Sequence, residues 1–302
     1  VMTVASPTSP GELVWWEGGE DRTLTELNLG FAAAAGLVAP QMFSFERDGR
    51  TIDTWVYLPP GDGPVPLLLN IHGGPASQYG WSFFDEFQVY VGAGYGVVAC
   101  NPRGSAGYGL DHMRDVVGLW QEQRSADLLD VLAAVEEALQ RFPRLDEERM
   151  GIMGGSYGGF AAARILSFDQ RFRSAVVERA LTAFTSFAGT SDIGSSFGQL
   201  YVGEQAPDGW DGLWKASPLA TAHHITTPTL VIHAESDHRT PIEQGEQLFA
   251  LLSRLGVETE MVRFPGESHE MSRSGKPRHR KERFEAILDW HRRHIAAGGL
   301  AT

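Results

Sequence analysis

The strongest constraint on the fold is a set of short, continuous apolar runs, each breaking off in glycine, proline or charged residues. Leu67-Leu68-Leu69-Asn70-Ile71 gives way to His72-Gly73-Gly74-Pro75, and Gly96-Val97-Val98-Ala99-Cys100 gives way to Asn101-Pro102-Arg103-Gly104. Runs of this length are strand-sized, and without polar alternation they suit strands covered on both faces. Stretches of helical period separate them. The clearest covers 125–142, where Leu128, Leu129, Leu132, Val135 and Leu139 recur at spacings of three and four and Ser125 stands where a cap is needed. Further strands are expected at 43–46 and 51–58, joined by an Asp48-Gly49 turn, and at 149–153, 175–177, 229–234 and 258–264. Helices are expected at 83–91, 157–166 and 280–295. This alternation implies an α/β fold with a mainly parallel central sheet and helices on both faces.

Two regions break the pattern. Residues 1–40 carry Leu13-Val14-Trp15-Trp16 and an acidic turn from Glu17 to Asp21, and read as a strand or two plus a connector. Such pieces cannot bury both tryptophans alone, so 1–40 is expected to be a linker and 41–302 the main α/β domain. Between 181 and 222 the sequence turns to glycine, serine and aromatic residues, as a pocket-forming insertion would.

A length of 302 residues with 42% apolar content supports a large core. The net charge of −13 argues against nucleic acid or anionic membrane as a partner. No apolar run approaches the roughly 18 residues of a membrane span. Neither a charged n-region nor an apolar h-region opens the chain, so no secretory signal is expected. The single cysteine, Cys100, forms no internal disulfide and reads as a buried free thiol, compatible with a reducing, cytoplasmic setting.

In an α/β sheet, chemistry gathers where strands end. Met150 to Phe160 contains Gly154-x-Ser156-x-Gly158 between an apolar run and a helical one. That context can place a serine at the tip of a sharp strand-to-helix turn, with glycines where side chains would collide. The motif is weak alone in a chain with 35 glycines; downstream partners give it weight. An α/β-hydrolase fold presents Ser, acid and His in that order. The strand at 229–234 ends in Glu235-Ser236-Asp237-His238-Arg239-Thr240-Pro241, and the strand at 258–264 in Pro265-Gly266-Glu267-Ser268-His269. Asp237 would hold the His269 tautomer that takes the Ser156 proton. Its neighbour Glu235 is a rival, less favoured because it directly follows Ala234. A metal reading of His233, Glu235, Asp237, His238 and His269 lacks ligand spacing on one helix face. The Tyr157 amide and the glycine loop at 72–75 are positioned to form an oxyanion hole.

Taken together, His72-Gly-Gly-Pro75, Asn-Pro-Arg-Gly-Ser-x-Gly-Tyr-Gly at 101–109, Gly-Gly-Ser-Tyr-Gly-Gly at 154–159, Glu-Ser-Asp-His-Arg-Thr-Pro at 235–241 and Ser-His-Glu at 268–270 resemble the prolyl oligopeptidase family, and within it the acylaminoacyl-peptidase branch. The resemblance spans about 43–295. It implies Ser156, Asp237 and His269 as a catalytic triad, Gly74 and Tyr157 as oxyanion donors, Arg239 as a ligand for a substrate carbonyl, and Phe184 as an aromatic of the specificity pocket. No cofactor is implied. Residues 1–40 would then be the last strand and connector of a β-propeller, and the surface around Trp15 and Trp16 a face for homo-oligomer formation.

Glu178-Arg179-Ala180 departs from the family pattern, as do Ser236 and His238, and this bears on substrate preference more than on chemistry. The basic run Lys276-Pro-Arg-His-Arg-Lys281 reads as a solvated helix start rather than an anion site, with Pro277 in the first turn. The expected function is that of a serine peptidase cleaving short peptides through an acyl-enzyme on Ser156 and releasing N-acylated amino acids. The alternatives are an esterase with the same triad and an inactive catalytic-domain fragment.

Overall fold

The computed structural model describes residues 1–296; 297–302, the end of the expected catalytic domain, lie outside the described residues. Strands β1 (Met2–Ser6), β2 (Ser9–Glu17) and β3 (Glu20–Thr23) form a separate antiparallel sheet, followed by helix α1 (Leu29–Ala35). The strand or two expected here is thus three. The third exists because Gly18 and Gly19 take positive φ of 62° and 93°, which lets the chain fold back at the acidic turn. Glu12 ties the sheet to its connector by accepting hydrogen bonds from the Leu27 and Asn28 amides at 2.9 and 2.7 Å. Gln88 reaches back to the Pro7 carbonyl at 3.0 Å. Trp15 and Trp16 are 36% and 56% exposed.

The remainder runs β4 (Gln41–Arg47), β5 (Arg50–Tyr57), β6 (Val65–Ile71), α2 (Asp85–Gly92), β7 (Gly96–Asn101), α3 (Leu110–Arg114), α4 (Ala126–Arg141), β8 (Leu145–Gly155), α5 (Tyr157–Leu166) and β9 (Ser174–Glu178). The insertion follows as four short helices, α6 (Phe184–Thr190), α7 (Gly194–Tyr201), α8 (Trp210–Ala216) and α9 (Pro218–Thr221). Then come β10 (Thr229–Ala234), α10 (Ile242–Arg254), β11 (Thr259–Phe264), α11 (Met271–Ser274) and α12 (Pro277–Ile295). The eight strands from β4 onward form one sheet in the order β11-β10-β9-β8-β6-β7-β5-β4. Strands β6 to β11 pair in parallel, and the β4–β5 hairpin joins antiparallel at one edge. This is the α/β-hydrolase architecture.

The pleat explains why the inner strands show no polar alternation. Leu67 and Leu69 join the core that also takes up Leu128, Val135 and Phe160 from α4 and α5, whereas Leu68 joins the opposite core with Tyr90, Ile287 and Trp290 from α2 and α12. Both faces are apolar because both are covered. In α4 the apolar stripe also hides two carboxylates. Asp130 accepts from Arg103 Nε at 2.7 Å, and Asp127 accepts from the Tyr157 hydroxyl at 2.6 Å. Ser125 occupies the cap position in an extended conformation but makes no capping side-chain bond. Among the described residues no helix is long and apolar enough to cross a membrane.

Candidate active site

Strand β8 carries Gly155 at its end, and the next residue reverses direction. Ser156 sits at φ 62°, ψ −121°, outside the regions that L-residues favour, and α5 starts immediately after it. Its own N–H donates to the Glu178 carbonyl at 3.0 Å, which pins the turn against β9. The flanking glycines are dictated by space. A Cβ on Gly154 would lie 2.5 Å from the Gly158 carbonyl carbon, and one on Gly158 would collide with the Ile71 carbonyl oxygen. Strain of this kind persists only where the surroundings over-determine it, as at a reactive tip.

The loops beyond β10 and β11 bring the other two side chains together. Asp237 Oδ2 lies 2.7 Å from His269 Nδ1. Its Oδ1 accepts from the amides of Arg239 and Thr240, both at 2.9 Å. The Thr240 hydroxyl donates to Oδ2 at 3.1 Å. Burial alone would raise the Asp237 pKa, but the bond from His269 and the Thr240 amide outweigh it and hold the carboxyl below its ordinary value. His233 backs this loop, with Nε2 2.7 Å from the Thr240 carbonyl, and burial pushes its pKa down. Glu235 points elsewhere, pairing with Arg263 at 3.0 Å on the surface.

Ser156 and His269 line one cavity of about 510 Å³ together with Gly74, Tyr157, Arg239 and Thr240. Tyr157 is the first residue of α5, so its amide has no partner within the helix. Gly74 takes φ 125° in the loop after β6, which presses on the elbow: a Cβ on Gly73 would lie 3.3 Å from the Gly155 carbonyl. His72 anchors this loop, Nε2 being 2.9 Å from Ser105 Oγ, and burial pushes its pKa down to about 4, so the ring is neutral. Arg239 stands at the cavity rim and bonds Asp192 through Nε at 2.7 Å and Nη2 at 3.2 Å, leaving Nη1 for another acceptor.

Phe184 requires a correction. It is buried and lies off the cavity wall, stacked on Phe197 at 6.3 Å and edge-on to Phe187 at 6.1 Å. The apolar wall is formed by Trp120, Phe160, Leu181, Phe187, Ile193 and Phe197. Phe184 opens α6 against the core, and the next turn of that helix, at Phe187, reaches the cavity. Sequence reasoning missed Trp120, which sits in an irregular polar stretch, and Asp127, which holds both Trp120 Nε1 at 3.2 Å and the Tyr157 hydroxyl. The distinguishing sign was a carboxylate inside an apolar helical stripe.

Cys100 is buried, and burial pushes its thiol pKa up, so it is a poor nucleophile. The run at 276–281 is paired outward, with His279 bonding Glu267 at 2.6 Å and Arg280 bonding Asp85 at 2.6 Å; Pro277 stands in the first turn of α12.

A family model described as the prolyl oligopeptidase family matches residues 81–298. The chain is 40% identical over 300 residues to "Uncharacterized peptidase YuxL" of Bacillus subtilis, covering 98% of this chain and 45% of that protein. It is 29% identical over 230 residues to the acylamino-acid-releasing enzyme of Sus scrofa, covering 72% of this chain and 31% of that one. Among solved structures, the acylaminoacyl peptidase of Pyrococcus horikoshii superposes with a TM-score of 0.92 at 30% identity, over 99% of this chain and 49% of that one. The chain therefore spans half or less of the length of these relatives.

Proposed function

Since this chain belongs to the prolyl oligopeptidase family of peptidases, we propose that it is a serine peptidase that cleaves amide bonds of short peptides through an acyl-enzyme on Ser156. The observation that carries this reading is a serine at a strained strand-to-helix elbow, sharing a cavity with a histidine whose Nδ1 is 2.7 Å from a buried carboxylate. Asp237 keeps the proton on Nδ1, so Nε2 is free to accept the Ser156 proton as the oxygen attacks the carbonyl carbon. The same proton passes to the departing amine, and water then hydrolyses the ester. The Tyr157 and Gly74 amides stabilise the oxyanion, each worth about 3 kcal/mol in comparable sites. An apolar wall of about six side chains suits an uncharged side chain next to the scissile bond. Arg239 Nη1 suits a carbonyl on the acyl side.

The acylaminoacyl branch adds the substrate form, a short peptide with a blocked N-terminus from which an N-acylated amino acid is released. We propose residues 41–302 as the catalytic unit and residues 1–40 as an accessory segment leading into it. The test compares acetyl-Ala and acetyl-Phe anilides with matched p-nitrophenyl esters. Turnover of the anilides supports the peptidase reading, and turnover of esters alone replaces it with an esterase.

A further inference from the structure

A second cavity, of about 220 Å³, adjoins the Ser156 cavity and shares Gly73, Ser77 and Arg273 with it. Its wall includes Asn70, Glu86, Glu178, Arg179, Ser272 and Arg283, so buried charged side chains reach it. Most of that charge is matched. Arg283 donates to Glu178 through Nε at 2.8 Å and Nη2 at 2.7 Å, and its Nη2 is 3.1 Å from Glu86. Arg273 pairs with Glu270.

Arg179 is the exception. It is 8% exposed, and its side chain makes one bond, from Nη2 to Ser272 Oγ at 3.2 Å. Its Nε and Nη1 are buried with no hydrogen-bond partner among the described residues, and the nearby carboxylates of Glu178 and Glu270, whose pKa values its charge helps to lower, are hydrogen-bonded to Arg283 and Arg273 instead. Asn70 Nδ2, on the same wall, is likewise unpartnered. A buried guanidinium with two of its nitrogens unpartnered and no directly bonded carboxylate is costly to hold, and this cost is relieved when an anion enters. The guanidinium also has a prepared seat. It packs against Gly155, the residue before the nucleophile, where any Cβ would collide with Nη1.

Position identifies the anion. Ser272 and Arg273 follow His269 by three and four residues, in the short helix α11 that begins just after it, and His269 is the group that would deliver a proton to the departing amine. The apolar wall and Arg239 belong to the acyl side of the cleaved bond. We propose that the Arg179 cavity is a carboxylate subsite for the leaving group, receiving the free C-terminus of a substrate that ends one or two residues beyond the scissile bond. This rests on the peptidase reading above and deepens it: the chain then favours short peptides with a free carboxylate over amidated or internal sequences.

The experiment measures kcat/KM for N-acetyl-Phe-Ala and for N-acetyl-Phe-Ala amide, which differ only in that terminal charge. The wild type is expected to favour the free acid by about tenfold or more, the worth of one charge-assisted hydrogen bond. Arg179→Gln brings the ratio to within about twofold of one, and Arg179→Lys, which keeps the charge, retains part of it. The wild-type ratio is independent of how any variant folds. Equal cleavage of the two peptides overturns the subsite alone, as does an undiminished preference in Arg179→Gln. Cleavage of neither overturns the peptidase reading, and the subsite with it.

Discussion

Asp237→Asn is the perturbation whose outcome the site geometry specifies most closely. Asp237 Oδ1 is held by two backbone N–H groups, of Arg239 and Thr240, each at 2.9 Å. An asparagine must therefore keep its carbonyl oxygen there and turn its NH2 toward His269. That amide donates to Nδ1 and makes it an acceptor, which moves the imidazole proton to Nε2, where it blocks proton uptake from Ser156. Flipping the amide to restore the tautomer would face an NH2 against two buried donors. With about 2–3 kcal/mol for each buried bond lost, the competent state lies about 4–6 kcal/mol up, a fall of about 10³ to 10⁴ in kcat. The assay is steady-state hydrolysis of an acetyl-Phe anilide, with circular dichroism to verify the fold. Glu235→Gln serves as control, since Glu235 pairs with Arg263 at the surface, and it is expected to change kcat less than about twofold. Retention of a tenth or more of wild-type kcat by Asp237→Asn would refute the assignment.

Two further predictions concern the frame of the site. Glu178→Gln removes a carboxylate that buried Arg283 grips through two nitrogens, so urea denaturation should register a loss of about 3 kcal/mol, only partly offset by Glu86; a loss below about 1 kcal/mol would show that the pair is solvated. His291 is fully buried and burial pushes its pKa down to about 3, so the folded state holds it neutral while the unfolded chain protonates near pH 6.5. Stability from this group is complete above about pH 6.5 and is lost as pH falls, by about 3 kcal/mol at pH 4; His291→Gln should flatten that limb relative to wild type in denaturation series, and an unchanged slope would contradict it.

Particular residues show how far the sequence was readable. The runs at 67–71 and 229–234 identified inner strands because both faces of the sheet are covered, leaving no polar position to confuse the pattern. The elbow was legible because sterics there leave little besides glycine. The two loops around Asp237 and His269 were legible by order alone, since a parallel sheet delivers successive strand ends to one edge. The pocket wall was not. Which of Phe184, Phe187 and Phe197 reaches the cavity depends on how the short helices α6 and α7 lean on Trp120, and no local periodicity encodes that tilt. Arg179 stood out only as an unusual residue after a strand. Its consequence appears once the Glu178 carboxylate is seen to take its hydrogen bonds from Arg283. The N-terminal sheet was half visible, because polar edge strands of four or five residues carry little apolar signal.

The proposed peptidase activity requires Ser156 to be a nucleophile activated by its setting. Incubation with a fluorophosphonate followed by peptide mass spectrometry tests it most directly, using Ser156→Ala as the blank. One covalent adduct, on Ser156, is expected in the wild type and none in the variant. An unlabelled wild type, or an adduct on another residue that persists in Ser156→Ala, would contradict it.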